Sequence, residues 1–156
     1  MRIGTGWDIH RLGPGNPLII GGVRIPSDRG SVAHSDGDVL THAIIDALLG
    51  ALAKGDIGSH FPDTDPAFKG ADSIALLKEV VATHLPPYSI VNIDSTIILQ
   101  KPKLREHIDP IRECLAGALS LPLDRISVKA KTAEQCLAEV GTGDAIIAQA
   151  VVLISG

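Results

Sequence analysis

Apolar and polar positions succeed one another along this chain in three patterns, and each pattern predicts an element. Residues Arg2–Ile9 read as a strand. In Pro17–Ile25, two short apolar runs flank Gly21-Gly22, a pair that accepts the left-handed backbone of a tight hairpin turn. The segment Val32–Asp38, VAHSDGD, is polar and loop-like. From there Val39–Lys54 carries apolar side chains at 40, 44, 47, 48, 51 and 52, one face of a helix that Gly55 ends. Residues 55–71, with three Gly, two Pro and three Asp, form a loop longer than a mere connection needs, and long ordered loops tend to carry function.

Asp72 is placed to cap a helix over Ser73–His84, which Pro86-Pro87 breaks. Tyr88–Leu99 sets Ile90, Ile93 and Ile97 among polar neighbours and reads as a strand ending before Pro102. A third helix covers Lys103–Leu119, with Pro110 kinking it or marking an internal start. Ile126–Lys131 alternates as a strand, and Ala145–Ile154 is the most apolar strand of all. The order β, hairpin, α, α, β, α, β, β predicts an α/β (α+β) two-layer sandwich: a mixed four-stranded sheet with helices on one face, plus a small hairpin. A length of 156 residues suits one domain, 1–156. The last strand is apolar at consecutive positions, so both its faces seek burial, and an oligomer packed through the sheets would supply the second.

Composition narrows the partners. Hydrophobic residues are 45% and charged residues 21%, proportions of a chain that folds. Aromatics are only 3%, too few for a nucleic-acid stacking platform, and a net charge of −4 offers no basic surface to phosphate backbones or membranes. Cys114 and Cys136 do not make a disulfide framework, and the N-terminus MRIGTGWDIHRLG lacks an apolar signal-peptide core, so a reduced cytoplasmic protein acting on small molecules is expected.

The ligand-type residues gather at two places. Asp8-Ile9-His10 puts a carboxylate and an imidazole on the same side of an extended chain, and His42 opens the first helix after His34-Ser35-Asp36-Gly37-Asp38. Two imidazoles and one carboxylate leave the fourth position of a tetrahedral zinc site open, as catalytic sites do. Asp38, His42 and Asp46 share one helical stripe, so Asp38 and Asp46 are candidates to orient His42 from behind the metal. His60, His84 and His107 read as surface or helix-end residues.

Together, GTGWDIHRL at 4–12, LIIGGVRIP at 18–26, AHSDGDVLTHAIIDALLGA at 33–51, GDIGSHFPDTDPAFKGADS at 55–73 and ISVKAKTAE at 126–134 closely resemble the 2-C-methyl-D-erythritol 2,4-cyclodiphosphate synthases of non-mevalonate isoprenoid biosynthesis. The resemblance implies a homotrimer with sites at subunit interfaces. It implies a lyase that cyclises 4-diphosphocytidyl-2-C-methyl-D-erythritol 2-phosphate to the cyclodiphosphate and releases CMP. It implies zinc, or another divalent transition metal, on residues matching Asp8, His10 and His42, and magnesium or manganese near the one matching Glu134. The methylerythritol end falls to positions matching His34, Ser35, Phe61 and Asp63. The cytidine end falls to those matching Leu99, Lys103, Leu104, Arg105, Ala130, Lys131 and Thr132, with Asp56 and Gly58 near the ribose and Asp65 in the same loop. His34 and Thr132 match the pair that positions the transferring phosphoryl group.

The absence of a nucleophile elbow, a Ser-His pair or a Walker loop agrees with a reaction in which the substrate's own phosphate attacks. A metal-dependent phosphohydrolase is the alternative activity, and an oligomer with a structural zinc the non-enzymatic one. The chain departs from the family in its tail. Gln135–Ala145, QCLAEVGTGDA, lacks the usual Phe, sets Thr142 at the usual Arg and includes an inserted residue, while Lys131 replaces the usual Thr.

Overall fold

A computed structural model describes residues 1–156. Seven strands and five α-helices form in the order β1 (Arg2–Pro14), β2 (Leu18–Ile20), β3 (Val23–Ile25), β4 (Arg29–Ser31), α1 (Val39–Ala51), α2 (Ile57–His60), α3 (Ser73–His84), β5 (Ser89–Ile98), α4 (Ile108–Leu119), β6 (Ile126–Lys131), α5 (Glu139–Thr142) and β7 (Ala145–Ser155). The main sheet has the order β4-β1-β7-β5-β6; only β5 and β6 run parallel, so the sheet is mixed as expected. It has five strands, not four. The added one, Arg29–Ser31, pairs with the end of β1 at Leu12–Pro14, which runs past the predicted end at Ile9. Three residues centred on a glycine hold no alternation to read. Gly30 is nevertheless required, because a Cβ there would stand 2.0 Å from the Pro17 carbonyl oxygen.

The hairpin forms as β2 and β3 around Gly21-Gly22, both at positive φ. Asp72 caps α3 by accepting from the Ile74 N–H. Pro110 lies in the first turn of α4, so it marks an internal start: Arg105–His107 is a separate 3-10 turn, and the predicted helix over 103–119 divides there. The 55–71 loop is ordered by α2 and a second 3-10 turn at Pro66–Phe68.

Helix α1 lies on β1 and β7 with α3 against its other side, so nearly all of it is buried. The opposite sheet face carries only the four-residue α5, whose Val140 packs with Ala133 and Ala145 against Ile98 and Ile147. Cross-strand rows run over this face, Ile3–Leu153–Asn92, Trp7–Gln149–Thr96–Lys129 and Ile9–Ile147–Ile98–Lys131, and Ile3, Trp7 and Ile9 are 71%, 54% and 44% exposed. No helix is long and apolar enough to cross a membrane.

Candidate metal centre and the two cavities

Residues Gly4, Gly6, Asp8, His10 and Leu12 alternate toward the helix layer along β1. The two glycines let α1 approach until a Cβ at Gly4 or Gly6 would stand 1.9 Å from the carbonyl oxygens of Ala47 or Ala43. Ala43, Ala47 and Ala51 give α1 a matching stripe of small residues. That close contact carries His42, one residue before Ala43, onto Asp8 and His10.

Three atoms then converge: Asp8 Oδ2 is 3.1 Å from His10 Nε2 and 3.0 Å from His42 Nδ1, and the two nitrogens are 3.2 Å apart. Ligands bound at 2.0–2.1 Å in a tetrahedron stand about 3.3 Å from one another, so this triangle fits one face of a tetrahedral metal site. Burial opposes ionisation of Asp8, but hydrogen bonds and charge from His10 and His42 outweigh it and hold its carboxyl far below the usual range. Burial likewise opposes protonation of His42, yet Asp8, with Asp38 and Asp36 behind it, raises the imidazole's pKa.

The far side of His42 corrects the expectation for Asp38 and Asp46, neither of which hydrogen-bonds to it. Asp38 caps α1 and is fully buried, accepting from the N–H groups of Gly21 (2.8 Å), Gly22 (2.6 Å) and Thr41 (3.0 Å) and from the Thr41 hydroxyl (2.8 Å). Burial pushes its pKa up, but its four partners are all donors, which favours the carboxylate. Asp46 instead accepts from Ile57 N–H at 2.7 Å and anchors the start of α2. The groups on His42 Nε2 are Ser73 Oγ at 2.8 Å and Ser35 Oγ at 3.3 Å, and the Ser73 hydroxyl donates to Asp36. The sequence reading missed Ser73 and Asp36: a serine at the start of one helix and a carboxylate in a distant loop carry no local sign that they meet.

The triad lines a cavity of about 550 Å³ together with His34, Ser35, Gly58, Phe61 and Asp63. Phe61 stacks edge-on against Phe68 with centroids 5.3 Å apart, and Gly70 N–H donates to the His34 carbonyl, tying the long loop to the His34 segment. Asp56 and Asp65 do not line this cavity. They cap α2 and the following 3-10 turn, accepting from Ser59 N–H and Ala67 N–H at 2.9 Å each.

A second cavity, about 620 Å³, is lined by Leu99, Lys103, Leu104, Arg105, Ala130, Lys131, Thr132 and Glu134 among others. It shares no lining residue with the first. Both lie at one end of the sheet. The row Ile9–Ile147–Ile98–Lys131 separates them by three strand spacings, roughly 14 Å. Within one chain, therefore, His34 does not meet Thr132, nor Glu134 the triad. The Thr132 hydroxyl donates to Glu134, and Glu134, Gln135, Leu137 and Ala138 all take positive φ. Such backbone costs roughly 1–3 kcal/mol per residue and persists only where its surroundings enforce it. Gly141 helps here, since a Cβ on it would stand 2.2 Å from the Cys136 carbonyl oxygen.

A model of the YgbB family matches residues 1–155. The chain belongs to the YgbB family. Over 154 residues it is 60% identical to the 2-C-methyl-D-erythritol 2,4-cyclodiphosphate synthase of Burkholderia thailandensis, covering 98% of this chain and 94% of that one. A CDP-bound structure of a 2-C-methyl-D-erythritol-2,4-cyclodiphosphate synthase superposes with a TM-score of 0.89 at 41% identity, over 99% of this chain and 100% of the other. The bifunctional IspDF of Campylobacter jejuni superposes with a TM-score of 0.93 at 39% identity, and the match covers 98% of this chain but 42% of that longer one. The YgbB match spans both cavities and the left-handed segment after Glu134.

Proposed function

We propose that this YgbB-family chain, acting over residues 1–156 as one cytoplasmic synthase domain, cyclises 4-diphosphocytidyl-2-C-methyl-D-erythritol 2-phosphate to 2-C-methyl-D-erythritol 2,4-cyclodiphosphate and releases CMP. The observation that carries the reading is the Asp8–His10–His42 triangle at the wall of a cavity that also holds His34, Ser35, Phe61 and Asp63. Its two nitrogens and one oxygen suit zinc, with another divalent transition metal as substitute, and Glu134 is the carboxylate for magnesium or manganese. Bound there, the cations supply positive charge that offsets repulsion between the two phosphates being joined.

The chain's own residues do the rest. Ser35, Phe61 and Asp63 hold the methylerythritol end. Lys103, Arg105 and Lys131, with Leu99, Leu104 and Ala130, hold the cytidine diphosphate end, and His34 and Thr132 orient the transferring phosphoryl group. Asp56 and Asp65 serve through the loop they cap. The attacking 2-phosphate oxygen already bears charge, so its attack on the β-phosphorus forms one P–O bond as the bond to CMP breaks, with no general base. Most of the advantage is orientation.

Two cavities with separate walls, and the exposed Ile3, Trp7 and Ile9 on one sheet face, support a homotrimer in which the metal cavity of one subunit meets the nucleotide cavity of the next. Turnover of the cytidyl substrate in isotopically labelled water tests the activity. CMP and a cyclic diphosphate free of solvent oxygen are expected, and His42→Ala should lose both metal and turnover while staying folded. A linear phosphate carrying solvent oxygen would make the protein a phosphohydrolase.

A further inference from the structure

We infer that Ser73 and Asp36 are positioning residues that set the metal affinity of the site by holding the proton of His42 on Nε2. The inference rests on the proposed metal centre. Ser73 is fully buried at the first position of α3. Its hydroxyl has one proton, which goes to Asp36 Oδ1, while its backbone N–H goes to Asp36 Oδ2 at 2.9 Å. Asp38 N–H also points at Oδ1, 3.2 Å away, so the Asp36 carboxylate is an acceptor for three donors. With its proton given to Asp36, Ser73 Oγ can only accept at the 2.8 Å contact with His42 Nε2. That contact therefore requires Nε2–H, and a neutral imidazole protonated at Nε2 presents its lone pair at Nδ1. Nδ1 is the atom 3.0 Å from Asp8 Oδ2 and 3.2 Å from His10 Nε2.

The opposite tautomer would aim an N–H at Asp8 and the metal position, and would leave a bare Nε2 facing a Ser73 oxygen whose proton is already given to Asp36. Ser35 Oγ is a weaker second acceptor at 3.3 Å, because it also receives the Gly37 N–H. Losing Ser73 should thus weaken the preference without abolishing it. The relay joins α1, α3 and the 33–38 loop, so it also ties the tautomer of a ligand to the packing of three segments.

The test compares wild type, Ser73→Ala, Ser73→Thr and Asp36→Asn by zinc competition against a chelator, and by nitrogen NMR of metal-free His42 well above the imidazole titration range. Wild type should show Nε2–H. Ser73→Ala should show a mixed tautomer and bind zinc ~10–100-fold more weakly, the usual effect of removing a group that orients a ligand. Asp36→Asn should shift both readouts the same way, and Ser73→Thr should restore them. A purely structural role would lower the melting temperature of the metal-free protein and leave the tautomer alone. Wild-type zinc affinity with Nε2–H retained in a folded Ser73→Ala would overturn the relay. A wild-type protein that takes up no zinc while His42 is Nε2–H would instead overturn the metal centre and leave the hydrogen-bond chain standing.

Discussion

At the scale of single residues, the most constrained side chain outside the metal triad is Asp38. It joins the hairpin turn to the first helix, because both oxygens accept two hydrogen bonds each and no water reaches them. Asp38→Asn preserves the shape but turns one acceptor into a donor facing other donors, which leaves at least one buried N–H or O–H unpaired. A loss of about 2–4 kcal/mol is expected, read as a lower denaturant midpoint, since an unmatched buried donor carries its full desolvation penalty. Sequence periodicity put Asp38 on the stripe of His42, yet its side chain turns back to cap the helix. The polar partner of His42 comes from α3, 31 residues away, and nothing local announces it.

At the scale of elements, the site depends on how closely α1 lies on β1. Gly4 and Gly6 face Ala47 and Ala43 with no room for a methyl group. Gly6→Ala should therefore displace the helix rather than merely crowd it. We expect a destabilisation of about 3 kcal/mol, at the upper end for overpacking, together with zinc loss out of proportion to the loss of fold. A variant that binds zinc as wild type does, at unchanged stability, would separate the glycines from the site. Individual elements were well legible in the sequence: the Asp72-capped helix and the Ile126–Lys131 strand form with the bounds their patterns predict. The edge strand Arg29–Ser31 and the four-residue α5 were not, because elements that short draw their stability from neighbours rather than from a repeating pattern.

At the scale of the whole molecule, the separation of the cavities makes assembly a requirement for the proposed chemistry. A trimer by light scattering is expected at micromolar concentration; a monomer that turns over substrate would remove the interface site. Subunit mixing gives a sharper test. His42→Ala damages only the metal cavity and Thr132→Ala only the nucleotide cavity, so each homotrimer should be inactive. Random reassembly of a 1:1 mixture should then pair two intact halves at about one quarter of the sites and restore that share of activity. Failure to recover any activity after verified exchange would place both residues in one subunit's site. The exposed row of Ile3, Trp7 and Ile9 belongs to the same question, since large apolar side chains aligned along one strand and open to solvent suit burial against another copy.

The sequence by itself determined what depends on near neighbours. Hydrophobic spacing set the helices and long strands, Gly21-Gly22 the hairpin, and Asp8-Ile9-His10 the placing of two ligand-type groups on one side of a strand. Its motifs also carried the resemblance to the family whose model matches the chain. Tertiary structure alone decided which nitrogen of His42 faces Asp8 and His10, which hydroxyl lies behind it, and that His34, Ser35 and Asp63 line one cavity while Lys103, Arg105, Lys131, Thr132 and Glu134 line another. The physical reason is reach. Periodicity and capping act over a turn or two, whereas these outcomes follow from strand register and from the distance between helix and sheet, and the glycines on β1 and alanines on α1 set that distance only once the two elements meet.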